Sequence, residues 1–183
     1  MCSSDLGSFA SVYLGADWHQ VQVALLANWV KPARDGFFGC ALAQVNDPGG
    51  TRYVGRTKSL KGAGDAVPLA VACVTRTGDA LRYASCEGEH TGEFVGSYTI
   101  TPADAPFDAK VVASAVTKGC GQAALSYLGL PAEATRPDLH VGYVGPTTAE
   151  TWLGSDQTFG CYASADGTLR GTVRNLGTRP LPR

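Results

Sequence analysis

Short apolar runs and one long helical pattern follow one another along the second half of the chain. Apolar runs at 68–74 and 81–86 flank a Thr-Gly-Asp turn, and the alternating residues at 93–100 predict a third strand. Residues 107–127 have Val and Ala at helical spacing, but the sequence Gly-Cys-Gly at 119–121 interrupts the pattern. Because glycine destabilises a helix interior, we predict two short helices or one kinked helix.

The pattern continues with a strand at 139–144 and a short polar segment. Thr147 and Glu150 have the spacing of a capping box, which predicts one helical turn that carries Trp152. Together these elements predict an α+β fold, in which a mostly antiparallel sheet packs against one kinked or split helix per unit.

An internal repeat divides the chain. The sequence Phe-Gly-Cys occurs at 38–40 and again at 159–161, and Tyr-Leu-Gly precedes it at 13–15 and at 127–129. After each Phe-Gly-Cys, turn residues at 46–50 and at 166–167 separate two strand patterns and predict a β-hairpin. Leu6 stands at the position that matches Cys120, so the first copy is expected to be truncated.

We therefore predict tandem disulfide-stabilised domains, the first of them truncated. Residues 2–6 resemble the translation of a sequencing adapter, and the N-terminus lacks the basic and apolar regions of a signal peptide. On this interpretation an export signal, and a membrane anchor if there is one, are lost upstream. The predicted organisation is non-native residues 1–6, the C-terminal half of a first domain at 7–60, a linker at 61–65, a complete domain at 66–177 and a tail at 178–183.

The charge balance and the cysteine content indicate which classes of partner are excluded and which cellular compartment the chain occupies. The chain has 183 residues with 15 Lys or Arg and 16 Asp or Glu, and this balance argues against nucleic acid as a partner. Its uncharged stretches are too short to span a bilayer, so no transmembrane segment is predicted in this chain. None of its six cysteines has zinc-finger spacing, and single scattered cysteines favour disulfides formed in an oxidising compartment.

The cysteines and the polar residues between them resemble the septum formation family of bacterial envelope proteins. The family pattern contains Cys-x-x-Pro-His-x-x-Glu-Val, and this sequence matches it with Cys86, His90 and Glu93. The pattern ends with Gly-Asp-Arg and a cysteine five residues after the Asp, matched by Asp156 and Cys161. The other matching positions are Cys73, Cys120 and Trp152.

The sequence also departs from this pattern. Glu89 stands where the family has Pro, and Ser155 and Gln157 stand where it has Gly and Arg. The resemblance implies an extracytoplasmic domain, secreted or anchored at the cell surface. A link to septum formation and cell division comes with the family name, and no cofactor is implied.

The four cysteines of the complete unit allow three pairings. We favour Cys73–Cys86, which would close the first hairpin, and Cys120–Cys161, which would tie the helix to the last strands. Cys40 is the candidate for an unpaired cysteine, because the truncated copy would have lost its partner.

His90 and Glu93 are the candidates for a functional or structural polar site. In one strand their spacing of three would place them on opposite faces, where they could not share a metal. We therefore expect His90 to satisfy backbone carbonyls beside the disulfide and Glu93 to face solvent. No catalytic residue and no metal site is predicted. Trp152 is a candidate aromatic contact, although aromatics at such positions more often belong to the core.

Two functions remain open from the sequence. The first is a non-catalytic binding module of the cell envelope, whose partner is an unknown envelope protein or cell-wall component. Repetition favours it, because a duplicated module raises avidity without new chemistry. The alternative is a secreted hydrolase with a site around His90 and Glu93. We expect a protein that is not an enzyme.

Overall fold

The computed structural model describes residues 6–15, 25–30, 39–48, 53–63, 72–78, 80–102, 105–153 and 157–183. Three helices lie in these ranges: α1 at Leu6–Leu14, α2 at Ala109–Leu128 and α3 at Ala149–Leu153. The strands are β1 at Leu25–Val30, β2 at Gly39–Gln44, β3 at Cys73–Thr77, β4 at Ala80–Ala84, β5 at Glu89–Thr99, β6 at His140–Val144 and β7 at Thr158–Arg170.

The chain forms two compact units. One consists of Met1–Ala72 with Thr77–Tyr83, and the other of Cys73–Arg76 with Ala84–Arg183. We describe each unit by itself. The division into a truncated and a complete copy stays a prediction. Residues 1–5, and the last two residues of the predicted linker at 64–65, lie outside the described ranges.

The first unit contains a helix and a two-stranded sheet. Strands β1 and β2 are antiparallel, with Val30 opposite Gly39. Val45 forms a single antiparallel bridge with Tyr53. Residues 54–63 form no strand, so only the start of the predicted first hairpin is present. Leu14 and Leu60 form the buried centre of this unit.

The second unit contains four strands of a five-stranded sheet, in the order β3-β5-β7-β6. Strand β5 pairs antiparallel with both β3 and β7. Helix α2 contacts β5, β6 and β7. This is the antiparallel α+β arrangement that the sequence predicts.

Helix α2 is a single uninterrupted helix, so the prediction of two short helices is wrong. It begins after Asp108, whose side chain accepts hydrogen bonds from the next turn, and it ends at Gly129, which has a φ of +74°. A Cβ at Gly119 would lie 2.2 Å from Cδ2 of Tyr98. Glycine at this position therefore lets the helix approach the sheet, and that packing offsets its low helix propensity.

The predicted hairpin at Asp166-Gly167 is also wrong. Ser164 pairs with Gly92, and Leu169 pairs with His90, so both sides of the turn run along the same neighbour, β5. Residues 165–168 have no partner in β5 and form a bulge within one continuous strand. The fully buried side chain of Leu169 explains the outcome, because it anchors the second half of the strand in the core.

Helix α3 carries Trp152 as predicted, but its cap is one residue later. Thr148 accepts a hydrogen bond from the backbone N–H of Thr151 at 3.3 Å, and its own N–H donates to the Thr151 hydroxyl at 3.2 Å. This reciprocal pair takes the place of the predicted pair of Thr147 and Glu150.

Two apolar clusters form the core of the second unit. One lies between α2 and the sheet and contains Cys120, Phe159 and Cys161. The other lies at the C-terminal end of α2 and contains Leu128, Leu169 and Val173. Residues 178–183, predicted as a tail, contact this unit: the Arg170 N–H donates to the carbonyl of Pro182 at 2.9 Å.

Candidate functional site

Three buried side chains with metal-ligating or catalytic chemistry meet between β3 and β5. Cys73 on β3 pairs with Glu93 on β5, and His90 lies three residues before Glu93. Cys73 and Glu93 are 0% exposed and His90 is 1% exposed. One ligand atom from each residue lies within 4.8 Å of the others.

The prediction that His90 and Glu93 lie on opposite faces is wrong. The pairing of β5 with β7 shifts register between His90 and Gly92, and such an irregularity interrupts the regular alternation of faces. The β3–β5 pairing is altered at the same place, because the Thr91 hydroxyl accepts from the Arg76 N–H at 2.9 Å. The spacing of three therefore does not separate the two side chains.

His90 has one satisfied and one unsatisfied ring nitrogen. Nδ1 lies 2.9 Å from the carbonyl oxygen of Gly88, and a carbonyl only accepts, so Nδ1 carries a proton and donates. This contact agrees with the expectation that His90 satisfies a backbone carbonyl. Nε2 is buried and has no hydrogen-bond partner among the described residues.

Glu93 does not face solvent, so that expectation is wrong. Its carboxylate accepts hydrogen bonds from the Tyr127 hydroxyl, from the Thr172 hydroxyl at 2.5 Å and from the Val173 N–H at 2.7 Å. Tyr127 belongs to α2, whereas Thr172 and Val173 follow β7. Three donors stabilise the carboxylate in the core and connect β5 to both of these elements.

Burial raises the pKa of the Tyr127 phenol well above its ordinary value. The negative charge of Glu93 and the hydrogen bond between the two side chains act in the same direction. Tyr127 therefore stays protonated, and remains a donor to Glu93, throughout the physiological pH range.

The structure contains both disulfides that the sequence favours. Cys73 is bonded to Cys86 and Cys120 to Cys161, each with a Cα–Cα distance of 5.2 Å. The first lies beside His90, and the second joins α2 to β7. The backbone of Cys40 lies in β2, but its side chain lies outside the described part of the chain, so its unpaired state stays a prediction.

The structure places Trp152 in the core rather than at a contact surface. It is 3% exposed, its indole N–H donates to the carbonyl of Ala105 at 2.8 Å, and its ring centre lies 5.5 Å from that of Phe107. His140 on β6 is exposed, and its Nε2 lies 3.2 Å from a carboxylate oxygen of Asp166.

Sequence reasoning missed the donors to Glu93. The sequence does draw attention to Tyr127, because its Tyr-Leu-Gly sequence recurs in the chain. The repeat does not indicate that Tyr127 donates a hydrogen bond to Glu93. Thr172 carried no comparable signal. Val173 acts through its backbone N–H, which residue identity does not reveal.

No helix within the described residues is both long and apolar enough to cross a membrane. Comparison of the chain with curated proteins and with solved structures found no match. The family model for septum formation matches residues 8–161, which is most of the chain. The match includes β3, β5 and α2, and with them Cys73, His90 and Glu93. This chain therefore belongs to the septum formation family.

Proposed function

We propose that this chain is a non-catalytic binding module of the bacterial cell envelope that takes part in septum formation. Its partner is an envelope protein or a component of the cell wall. Family membership and the two disulfides point to an extracytoplasmic location, because disulfides persist in oxidising compartments.

The observation that carries the proposal is that the reactive side chains of the second unit serve its packing. Glu93 is fully buried and accepts hydrogen bonds from α2 and from the segment after β7. Trp152 donates to a backbone carbonyl inside the core. Side chains used in this way are not offered to a substrate, so recognition falls to the surface of the unit.

The alternative function is a secreted hydrolase that acts through His90 and Glu93. A hydrolase must bring its substrate to these groups, and neither is more than 1% exposed. No observation on the described residues favours this alternative over the binding module.

Site-specific photo-crosslinking tests the proposal. A photoreactive residue is introduced at Val111 on α2, Val141 on β6 or Leu153 on α3, which are 64%, 38% and 88% exposed. The buried position Val116 serves as the matched control. In bacteria that export the chain, we expect an adduct of one discrete mass from an exposed position and none from Val116.

A second measurement separates binding from hydrolysis. The disulfide-intact chain is incubated with purified peptidoglycan, and both co-sedimentation and the release of soluble fragments are measured. Adducts or co-sedimentation without fragment release support the proposal. Fragment release that is lost in a folded His90→Ala variant would establish the hydrolase. The absence of adducts at every exposed position, together with no co-sedimentation, would refute the binding module.

A further inference from the structure

Three electron-pair donors converge in the core of the second unit. Ligand atoms of Cys73, His90 and Glu93 lie within 4.8 Å of one another, and all three residues are buried. The Nε2 atom of His90 has no hydrogen-bond partner among the described residues. Its neighbours cannot supply a proton, because a carboxylate and a disulfide sulfur are both acceptors. A buried cluster of acceptors is the environment that a cation would stabilise.

We propose that reduction of the Cys73–Cys86 disulfide converts this cluster into a site for zinc or a similar divalent transition metal. The ligands are the thiolates of Cys73 and Cys86, Nε2 of His90 and a carboxylate oxygen of Glu93. Thiolate, imidazole and carboxylate are the ligand types that zinc takes in proteins, and four ligands complete its tetrahedral coordination.

Hydrogen bonds with neighbouring groups already orient two of the proposed ligands, His90 and Glu93. The Nδ1–H of His90 donates to the carbonyl of Gly88, which fixes the tautomer that leaves Nε2 free to ligate. Glu93 is held by Tyr127, Thr172 and Val173. Ligands oriented by outer hydrogen bonds in this way are typical of protein metal sites.

The disulfide controls access to the site through a balanced thiol–disulfide exchange. Cys86 is partly exposed whereas Cys73 is fully buried, so a dithiol reductant attacks Sγ of Cys86. The S–S bond breaks, Cys73 leaves as a thiolate, and the second thiol of the reductant displaces Cys86 from the mixed disulfide. Two electrons pass to the protein and the reductant becomes a disulfide. Metal binding then releases the thiol protons to solvent.

The Cys120–Cys161 disulfide is an internal reference. Both of its residues are 0% exposed and lie in the apolar cluster between α2 and the sheet. We therefore expect a mild dithiol to reduce Cys73–Cys86 first.

Cobalt titration of the full chain tests the proposal, since Co²⁺ binds zinc sites and absorbs visible light. The oxidised protein is divided, one half is reduced with dithiothreitol and desalted without oxygen, and both halves are titrated with Co²⁺. We expect thiolate-to-cobalt charge-transfer bands that saturate at one Co²⁺ per chain in the reduced half only. Zn²⁺ should abolish these bands. Bands of equal strength in both halves, or none in either, would overturn the proposal.

Two variants test whether His90 is a ligand of the metal. His90→Ala should weaken Co²⁺ binding by more than the roughly 10–100-fold that loss of an outer partner costs. His140→Ala removes an exposed histidine and should leave the affinity unchanged. Circular dichroism of each oxidised variant verifies its fold, and His90→Gln replaces His90→Ala if the latter does not fold. Unchanged affinity in a folded His90 variant would refute the site.

Alkylation of the reduced wild-type chain needs no variant. Bound Zn²⁺ should protect Cys73 and Cys86 from iodoacetamide, as mapped by mass spectrometry. Protection of other cysteines instead of these two would place the metal elsewhere and overturn the proposal.

Discussion

The ring of Tyr98 on β5 lies against Gly119 in the middle of α2. A Cβ built on Gly119 would come within 2.2–2.5 Å of three atoms of that ring. Gly121, two residues further along the same helix, has no neighbouring atom within 4 Å of such a Cβ. A side chain at position 119 would therefore collide with a neighbouring ring, whereas one at position 121 would have open space.

Gly119→Ala should destabilise the protein, and Gly121→Ala should not. The added methyl group would overlap three ring atoms, so its cost is expected at the upper end of about 1–3 kcal/mol, which exceeds the gain of about 1 kcal/mol in helix propensity. Gly121→Ala should show that gain alone. Urea unfolding of both variants measures the difference. If the two substitutions changed the free energy of unfolding alike, the contact of Gly119 with Tyr98 would have no energetic role.

These glycines also show what the sequence could predict. The apolar spacing at 107–127 predicts the helix, but the same glycine sequence occurs in helices that break and in helices that pack closely on a neighbour. The deciding contact with Tyr98 is distant in sequence. The course of β7 past Asp166-Gly167 is similar, because the local turn pattern contains no information about pairing with β5.

The candidate site was identified by residue type but not by arrangement. The sequence indicated Cys73, Cys86, His90 and Glu93 and favoured the correct disulfide. The burial of Glu93 could not be predicted, because its three donors come from α2 and from residues after β7.

Glu93→Gln should destabilise the second unit. The new amide NH₂ would face groups that now donate to the carboxylate, and a buried donor without an acceptor costs about 1–3 kcal/mol. Glu89→Gln is the matched control. Glu89 pairs with Arg170 on the surface, both side chains are more than 60% exposed, and such pairs contribute about 0–1 kcal/mol. Equal losses in chemical denaturation would contradict a structural role for Glu93.

The raised pKa of Tyr127 predicts a loss of stability at alkaline pH. Above about pH 10 the unfolded chain releases the phenol proton while the folded chain retains it. The unfolded state then binds fewer protons, so the free energy of unfolding falls as pH rises, by up to about 1.4 kcal/mol per pH unit.

Tyr127→Phe should remove this contribution. Its stability is expected to fall less than that of the wild type between about pH 9 and pH 11. Tyr53→Phe, at an exposed tyrosine, should behave like the wild type. Urea unfolding midpoints across this pH range provide the measurement. If the midpoints of all three proteins fell in parallel with pH, Tyr127 would not be the source of the alkaline loss of stability.

Removal of either disulfide should lower stability, and removal of Cys120–Cys161 should lower it more. The bonded residues are 41 positions apart in this disulfide and 13 apart in Cys73–Cys86. In the chain-entropy model, loops of these lengths contribute roughly 4 and 3 kcal/mol. Paired Cys→Ala substitutions, compared by thermal unfolding, test the order. A larger loss at Cys73 and Cys86 would show that loop entropy does not dominate.

We propose that residues 7–60 and 66–177 are copies of one domain, the first truncated. Supporting observations are the pairing registers: Val30 lies opposite Gly39 in the first unit, and Val144 lies opposite Gly160 in the second. Each copy also has a positive-φ glycine directly after its helix, at Gly15 and Gly129.

The copy proposal predicts that residues 66–183 fold alone. Both described disulfides and both core clusters of the second unit lie within this range. The fragment, exported to an oxidising compartment, should contain both disulfides and unfold cooperatively. A fragment with reduced thiols that is nevertheless native would contradict the role given to the disulfides.

The C-terminal segment has a practical consequence for recombinant work. The family match stops at Cys161, within β7, whereas two of the donors to Glu93 are Thr172 and Val173. Cutting the gene at the limit of the match would therefore sever a central strand and leave a charged group stranded in the interior. Cloning boundaries for relatives of this protein are better drawn beyond the last residue that reaches back to β5.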